Sequence, residues 1–395
     1  MALSNIIFSM KKKIFFLADS LVDLRFIFDQ LKKDYEVKWV YYHKSLKKEI
    51  LSSGYNQNDT IYINSNIFKI IFLKLLDLFN IKKLNYQNEL NHKILEIDKK
   101  FKPDMWLTDT GNILSSISTS GIKATFKHSV PYKKYFLSKN IFLYDYVFIP
   151  GNYHQERIEN YYFSRIEELK KKLIITISPK ILPYLVKKND ILKKKDVFKD
   201  HGLEENKRTI LLATTHNSFN NNRILPENFG SELECLVKIS KIVSNKYNLN
   251  FIVKPHHYHY EKFKKNKYLD FFKKKNISIF KSNKNFDSLE SEILIFNSDI
   301  IITDTSGVAS TCSYLDKRII YLNPDKPDWE NSDIEESMRP GFVVNSIVQI
   351  DKAIGTYIKN PSLYQEERQD FKNKIFKYQN LSDLSKINEI IKKIV

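Results

Sequence analysis

The chain has 395 residues, 42% of them hydrophobic and 13% aromatic, which excludes a disordered or fibrous protein and suits a globular one of two domains. Its formal charge of +18 favours anionic partners such as nucleic acid, acidic lipid headgroups or phosphorylated substrates. Only two cysteines are present and the first 20 residues lack the pattern of a signal peptide, so no disulfide framework is expected and the predicted location is the cytoplasm.

The first half of the sequence alternates strand and helix patterns. Short apolar strands are predicted at residues 13–18, 36–42, 105–108, 124–127 and 146–149, and helices at residues 21–32 and 91–101. The most apolar segment, residues 67–79, contains three charged side chains and is too short to cross a bilayer. Its apolar residues recur at helical spacing, which predicts an amphipathic helix that packs on the core or, alternatively, contacts a membrane surface.

The second half repeats this alternation. Strands are predicted at residues 173–177, 209–213, 250–254, 277–280, 300–303 and 318–322, and helices at residues 231–244, 258–272, 308–316 and throughout 351–395. Strands that alternate with helices predict parallel sheets, so the expected fold is α/β with two Rossmann-like, doubly wound domains and a cleft between them. We expect the domains at residues 1–165 and 166–345, and C-terminal helices at residues 346–395 that pack back across both.

A turn rich in hydroxyl groups follows the strand at residues 300–303. The carboxyl end of this strand, where ligands bind in doubly wound sheets, carries Asp304, Thr305, Ser306 and Gly307. Backbone N–H groups at the start of the next helix would bind an anion together with the two hydroxyls, and Gly307 would let a ligand approach the backbone closely. The alternative is that Thr305 or Ser306 only caps that helix. Neither a G-x-G-x-x-G nor a Walker pattern occurs, so the usual dinucleotide and P-loop sites are not expected.

A cluster of histidines follows the strand that ends at Lys254. Pro255 stops this strand, and His256, His257 and His259 come next. A metal site needs a further ligand at a recognisable spacing, and no CxxC or HExxH stands nearby. An imidazole that donates to a phosphate beside Lys254 fits the pattern better, and exposed histidines without a role are the alternative.

A single histidine stands at the carboxyl end of a strand in the first half. His128 follows the strand at residues 124–127 and has lysines on both sides in the sequence. A histidine at this place would act as a general base across the cleft. Asp109, at the end of the preceding strand, would orient its imidazole.

These stretches resemble the motifs of the bacterial CDP-glycerol glycerophosphotransferase family, the polymerases and primases of teichoic acids and related capsule polymers. The stretch FKHSVPYKKYF is similar to the W-H-G-T-P-x-K motif of the family, which implies that His128 is catalytic. VKPHH is similar to K-x-H-P, which implies that Lys254 and His256 bind the diphosphate. SDIIITDTSG is similar to the block S-D-x-x-I-T-D-Y-S-S, which implies that the turn from Asp304 to Gly307 holds the nucleotide diphosphate.

The sequence departs from the family pattern at three places. TILLATTH stands where the family has the strand end A-P-T-W-R, which assigns Thr215, His216 and Asn217 to the donor-phosphate site but puts Asn217 in place of the arginine. Ser129 replaces the glycine after the catalytic histidine, and Thr311 stands near the acidic position of the last block. These departures put the contacts to the diphosphate and to the ribose or glycerol in question.

The resemblance implies a GT-B fold, with an N-terminal acceptor domain and a C-terminal nucleotide-donor domain. It also implies transfer of a glycerol-phosphate-like unit from a CDP-activated donor to a hydroxyl of an anionic cell-surface polymer or a lipid-linked acceptor. His128 would take the hydroxyl proton, and the phosphate-binding groups would stabilise the developing charge. No motif requires a metal or a cofactor. The expected location is the cytoplasm, peripherally on the inner face of the cell membrane.

Two other functions stay open at this point. One is a GT-B glycosyltransferase that uses a nucleotide sugar for a surface polysaccharide, since the same turn and histidine would serve it. The other is a basic nucleic-acid-binding or non-catalytic GT-B-like protein, which the charge of +18 suggests. The sequence argues against nucleic acid, because no RRM, KH or helix-turn-helix signature occurs and the aromatic residues lie in apolar, core-like patterns.

Overall fold

Two parallel β-sheets, one of seven strands and one of six, organise the protein. The computed structural model describes residues 11–18, 24–42, 44–63, 83–109, 113–127, 137–193, 196–214, 232–255, 277–279, 290–304, 307–322 and 340–395. All neighbouring strands in both sheets run parallel. Parallel strands need crossover connections, which the helices supply, and this confirms the α/β class predicted from the sequence.

The first sheet has the strand order β3-β2-β1-β4-β5-β6-β7. Its strands are β1 (Lys13–Ala18), β2 (Glu36–Tyr41), β3 (Thr60–Tyr62), β4 (Met105–Thr108), β5 (Ile122–Phe126), β6 (Tyr146–Ile149) and β7 (Leu173–Ile175). Side chains on both faces of the inner strands are buried. Phe15 contacts Trp106 on one face, and Phe16 packs with Phe28 and Trp39 on the other.

The second sheet has the strand order β10-β9-β8-β11-β12-β13. Its strands are β8 (Thr209–Ala213), β9 (Asn250–Lys254), β10 (Ile277–Ile279), β11 (Ile300–Thr303), β12 (Arg318–Leu322) and β13 (Phe342–Val344). The limits of β8, β9, β11 and β12 are those predicted from the sequence. Their apolar runs are nearly continuous because helices cover a parallel sheet on both faces.

Fourteen α-helices are found in the described residues, and short 3-10 turns join several of them. The helices are α1 (Arg25–Leu31), α2 (Lys44–Ser52), α3 (Lys83–Phe101), α4 (Asn152–Tyr161), α5 (Ile166–Lys170), α6 (Leu182–Val186), α7 (Lys188–Lys193), α8 (Asp196–Asp200), α9 (Glu232–Lys241), α10 (Glu290–Asn297), α11 (Val308–Tyr314), α12 (Ile347–Lys359), α13 (Gln365–Ile375) and α14 (Lys386–Ile394). None of the helices in these ranges is long and apolar enough to cross a membrane. The helices predicted at residues 67–79 and 258–272 lie outside the described residues.

Three strands differ from the sequence-based prediction in their existence or in the sheet to which they belong. The strand predicted at residues 173–177 was counted with the second half, but Leu173–Ile175 pairs with β6 and completes the first sheet. Strands β3 and β13 were not predicted, because each has only three residues and lies at an edge of its sheet. The domain limits at residues 165 and 345 stay a prediction.

The C-terminal segment contacts elements of both sheets. Arg368 of α13 is almost fully buried and donates from Nε to Oδ1 of Asp316, just before β12, at 2.7 Å. The backbone N–H of Lys377 donates to the carbonyl oxygen of Pro150, just after β6, at 3.0 Å. The neighbouring Gly151 has no space for a side chain, since a Cβ there would lie 2.3 Å from the carbonyl oxygen of Ile375. The segment therefore joins the loop after β6 to the turn before β12.

One core of the first sheet is completed by these C-terminal residues. We call it the first core; on the sheet itself it includes Phe16, Phe126 and Phe148. The C-terminal residues that contribute buried side chains to it are Phe371, Ile375, Phe376, Ile387 and Ile391. A second core covers the opposite face of this sheet and contains Trp106 and Tyr144.

Candidate active site

Three neighbouring strands of the second sheet end side by side. Lys254, the last residue of β9, pairs with Ala213, the last residue of β8. Thr303, the last residue of β11, donates from Oγ1 to the carbonyl oxygen of Ala213 at 2.6 Å. Asp304 follows directly and is fully buried. Since adjacent strands lie about 4.8 Å apart, the backbone at Lys254 and at Asp304 is separated by roughly 10 Å, a span that a bound diphosphate and its contacting side chains can bridge.

Lys254 lies in a mixed electrostatic environment. Its side chain is half-buried, and burial lowers its pKa. Glu292 of α10 raises this pKa, and Lys180, in the turn that follows β7, lowers it. The segment that leaves the first sheet thus brings a second ammonium group towards the carboxyl edge of the second sheet. The ammonium groups of Lys254 and Lys180 are the described groups that would attract an anionic ligand to this edge.

The turn after β11 leads into α11. Gly307 is the N-cap residue of this helix. Because glycine has no side chain, no side chain at the N-cap position caps the helix. Its φ of −59° is open to any residue, and a Cβ added there would meet no described atom within 4 Å. Neither the backbone conformation nor the packing of the described protein requires glycine at this position. Thr311, which stands near the acidic position of the family motif, is buried within α11.

Several predicted site residues lie outside the described residues, so their assignments stay predictions. On the first half this concerns the predicted general base, His128. On the second half it concerns Thr215, His216, Asn217, His256, Thr305 and Ser306. The strands that precede them are described, and they bring the chain to the carboxyl edges of the two sheets.

Asp109 follows β4 at the carboxyl edge of the first sheet. Its carboxylate lies near the phenol of Tyr144, whose pKa is raised mainly by burial and further by Asp109. Ser115 lies near the phenol and opposes this shift in the pKa. Asp109 is thus part of a polar group with Tyr144 and Ser115 in the second core. The contact predicted between Asp109 and His128 stays a prediction.

Lys127 is a residue that the sequence analysis did not assign to the site. It comes directly after β5, and its backbone N–H still donates to the carbonyl oxygen of Phe148 in β6 at 2.8 Å. Its side chain is only 7% exposed, and burial lowers its pKa to about 8. A lysine inside the apolar strand predicted at residues 124–127 was the available signal, but lysine is so frequent in this chain that it did not stand out.

Within the described ranges, no three His, Cys, Asp or Glu side chains are grouped closely enough to hold a metal ion. The described groups at the two carboxyl edges include Lys127, Lys254 and the carboxylates of Asp109 and Asp304. The ammonium groups bind anions and stabilise negative charge on phosphate oxygens, whereas the carboxylates do not.

Solved structures with the same architecture include nucleotide-using enzymes. A variant of the wall teichoic acid polymerase TagF has 13% sequence identity and a TM-score of 0.64, over 97% of this chain and 88% of that chain. The UDP-GlcNAc 2-epimerase from Methanocaldococcus jannaschii has 16% identity and a TM-score of 0.61, over 97% of this chain and 99% of that one. The UDP-GlcNAc 2-epimerase from Neisseria meningitidis, bound to UDP-GlcNAc, has 15% identity and a TM-score of 0.59, over 97% and 98%. These similarities confirm the predicted GT-B fold.

Sequence comparison assigns the family. No curated protein matches the chain. A family described as CDP-Glycerol:Poly(glycerophosphate) glycerophosphotransferase matches residues 23–393, which is nearly the whole length. The sequence-based resemblance and the expected transferase activity are thereby confirmed. The chain belongs to the CDP-glycerol:poly(glycerophosphate) glycerophosphotransferase family.

Proposed function

We propose that the protein transfers glycerol phosphate from CDP-glycerol to a terminal hydroxyl of an anionic surface polymer or of its lipid-linked precursor. The family match over residues 23–393 is the observation that carries this proposal. Lys254 at the carboxyl edge of the second sheet supports it, because its ammonium group can bind a phosphate. So does the charge of +18, because the donor, the polymer and a phospholipid surface are all anionic.

The reaction is a displacement at phosphorus. The acceptor oxygen forms a bond to the β-phosphorus of CDP-glycerol, the bond from this phosphorus to the oxygen bridging to the α-phosphate breaks, and CMP leaves with that electron pair. His128 takes the proton of the acceptor hydroxyl, and Asp109 orients the imidazole. Lys254, His256 and the turn from Asp304 to Gly307 stabilise charge on the diphosphate, and Thr215, His216 and Asn217 adjoin them.

The donor is tested by incubating the protein with CDP-glycerol, UDP-sugars and CMP-sugars in separate reactions. CMP release together with a new phosphodiester in the product is expected with CDP-glycerol alone. Transfer of a sugar from a UDP- or CMP-sugar would instead establish the glycosyltransferase alternative. Release of no nucleotide from any donor, together with salt-sensitive binding to random DNA, would establish the nucleic-acid-binding alternative.

Replacing Gly307 by valine tests the contact between the turn and the donor. The backbone conformation and the packing leave room for a side chain to begin here, because φ is −59° and no described atom lies within 4 Å of the added Cβ. We expect an unchanged melting temperature but a loss of CDP-glycerol affinity of about tenfold or more, since the branched side chain would take the space of the diphosphate. Isothermal titration calorimetry measures the affinity, and Gly307→Ala gives an intermediate value. Unchanged affinity in both variants would mean that the donor does not approach this turn.

We also propose that the protein is cytoplasmic and contacts the inner face of the cell membrane peripherally. Tyr161 and Phe163, at the end of α4, are 59% and 77% exposed, and Leu143 is half-exposed near them. The guanidinium of Arg165 lies 3.4 Å from the ring centroid of Phe142 in the same region. Exposed aromatic side chains beside cations are typical of contact with anionic headgroups.

Co-sedimentation with lipid vesicles tests this contact. We expect binding to phosphatidylglycerol vesicles but not to phosphatidylcholine vesicles, and release at about 0.5 M salt, because such attraction is screened. Replacing Tyr161 and Phe163 together by serine is expected to weaken the binding. Equal sedimentation with both lipids, or with neither, would contradict the proposal.

A further inference from the structure

A buried lysine at the carboxyl edge of the first sheet has no described partner of opposite charge. Lys127 is 7% exposed, and no ion pair joins it to a carboxylate among the residues that the structure describes. We propose that Lys127 binds a phosphate of the acceptor, namely the phosphodiester next to the hydroxyl that is phosphorylated. This inference rests on the proposed function, because it takes the acceptor to be a polymer of phosphodiester-linked units.

Lys127 differs from the surface lysines of the chain because it is buried directly after the end of β5. Side chains alternate between the two faces of a strand, and Phe126 packs in the first core, so Lys123, Thr125 and Lys127 lie on the opposite face. Lys123, at the amino end, donates from Nζ to the carbonyl oxygen of Ile117 at 2.8 Å. Thr125 is fully buried, and its hydroxyl has no hydrogen-bond partner in the described ranges. The hydroxyl of Thr125 is too deeply buried to reach a ligand, so the ammonium of Lys127 is the described polar group at the carboxyl end of this face that is left for one.

Burial of this ammonium is unfavourable for the protein alone. Removing an ammonium group from water is compensated only by a nearby anion or by several hydrogen bonds. Burial lowers the pKa of Lys127 to about 8, so the group still carries its charge at neutral pH. A methionine would fill a similar volume without this penalty. A bound anion explains why the site has a lysine.

The location favours the acceptor over the donor as the source of the anion. The residues assigned to the donor diphosphate, Lys254 and Asp304, belong to the second sheet. Lys127 belongs to the first sheet and directly precedes His128, the proposed base, in the sequence. In a glycerol phosphate polymer, the last phosphodiester is only a few bonds away from the terminal hydroxyl. A lysine beside the base can therefore hold this phosphodiester while the hydroxyl loses its proton.

The test uses the variant Lys127→Met with glycerophosphoglycerol, which carries one phosphodiester and a terminal hydroxyl, as the acceptor probe. We expect the KM of this probe to rise about tenfold or more, the effect of losing one charge-assisted hydrogen bond, while the KM of CDP-glycerol changes by less than about threefold. We also expect the melting temperature to rise by about 2 °C or more, because the buried charge is removed. Lys123→Met, on the same face of the same strand, is the matched control and should leave both KM values unchanged.

Three results would overturn the inference: an unchanged KM for the probe, an equal rise in both KM values, or a lower melting temperature in both Lys127→Met and Lys127→Gln. The last result would mean that the ammonium stabilises the fold.

Calorimetric measurement of glycerophosphoglycerol binding distinguishes a failure of this inference from a failure of the proposed function. If the wild-type protein does not use CDP-glycerol but binds the probe, and Lys127→Met does not, the function fails and the phosphate site stands. If the wild-type protein and the variant bind the probe equally, or neither binds it, the phosphate site fails.

Discussion

Replacing His128 by alanine is expected to lower turnover by about 10²- to 10⁴-fold, while CDP-glycerol binds with nearly unchanged affinity. The acceptor hydroxyl is a weak nucleophile until a base takes its proton, and His128 follows the strand end that leads to the carboxyl edge of the first sheet. We propose that groups of the second sheet bind the donor diphosphate, so the loss should fall on kcat rather than on donor binding. Steady-state CMP release and calorimetric titration of CDP-glycerol measure the two quantities.

His92 provides the matched control for this experiment. It lies in α3 of the same half, its side chain is 74% exposed, and its nearest charged partner is Glu96. His92→Ala should keep wild-type turnover. If His128→Ala also retained turnover within about threefold, the general base would have to be another group, because base catalysis contributes far more than that.

Replacing Lys254 by methionine is expected to weaken CDP-glycerol binding by about 10- to 100-fold, the range of one charge-assisted hydrogen bond. Lys254 ends β9 beside the last residue of β8, at the edge where Asp304 also lies. Burial lowers its pKa, and Glu292 is the described residue that opposes that shift, so a phosphate would further stabilise its charge. Both the Kd and the KM of CDP-glycerol should rise, with a smaller change in kcat.

Lys246→Met is the control for the effect of removing a positive charge. Lys246 forms an ion pair with Asp351 at 2.6 Å, and it ends the π-helical segment Ile242–Lys246 that precedes β9, so it lies at the opposite edge of the sheet. Its removal lowers the net charge by the same amount, and donor affinity should not change. Equal affinity losses in the two variants would mean that overall charge, and not a contact of Lys254, attracts the nucleotide.

The inner strands of the second sheet were predictable from the sequence because burial on both faces selects continuous β-branched and apolar runs. Strands β8, β9, β11 and β12 have their predicted limits for this reason. The edge strands Thr60–Tyr62 and Phe342–Val344 were missed, since three residues that are mostly partly exposed do not produce such a run. The membership of Leu173–Ile175 in the first sheet depends on pairing with β6, which no local pattern encodes.

The candidate site was predictable where it coincides with strand ends. Lys254 and Asp304 follow apolar strands, and parallel pairing brings such ends to one edge. Lys127 was missed because its distinguishing property is burial, which depends on how neighbouring segments cover β5. Sequence alone does not separate one buried lysine from the many that are solvated in a chain with 64 Lys and Arg residues.

The burial of Lys127 has a calculable cost in stability. A pKa of about 8 in place of the ordinary 10.5 corresponds to roughly 3 kcal/mol at neutral pH. This penalty is fully present below pH 8. It falls as the pH rises from 8 towards 10.5, because in that interval the folded protein has lost the proton that the unfolded chain still binds. A cost of this size is a large fraction of the free energy of unfolding of an average domain. A role of Lys127 in ligand binding would explain why the lysine is kept despite this cost.

The side chains that residues 371–391 add to the first core affect the order in which the protein can fold during synthesis on the ribosome. Strands β1 to β6 emerge early, but the buried positions that Phe371, Ile375 and Ile391 occupy beside them are filled only after more than 200 further residues have been synthesised. Until then an apolar surface beside these strands stays open to solvent or to chaperones. The packing of the nascent first half is therefore complete only after residues 371–391 have been synthesised.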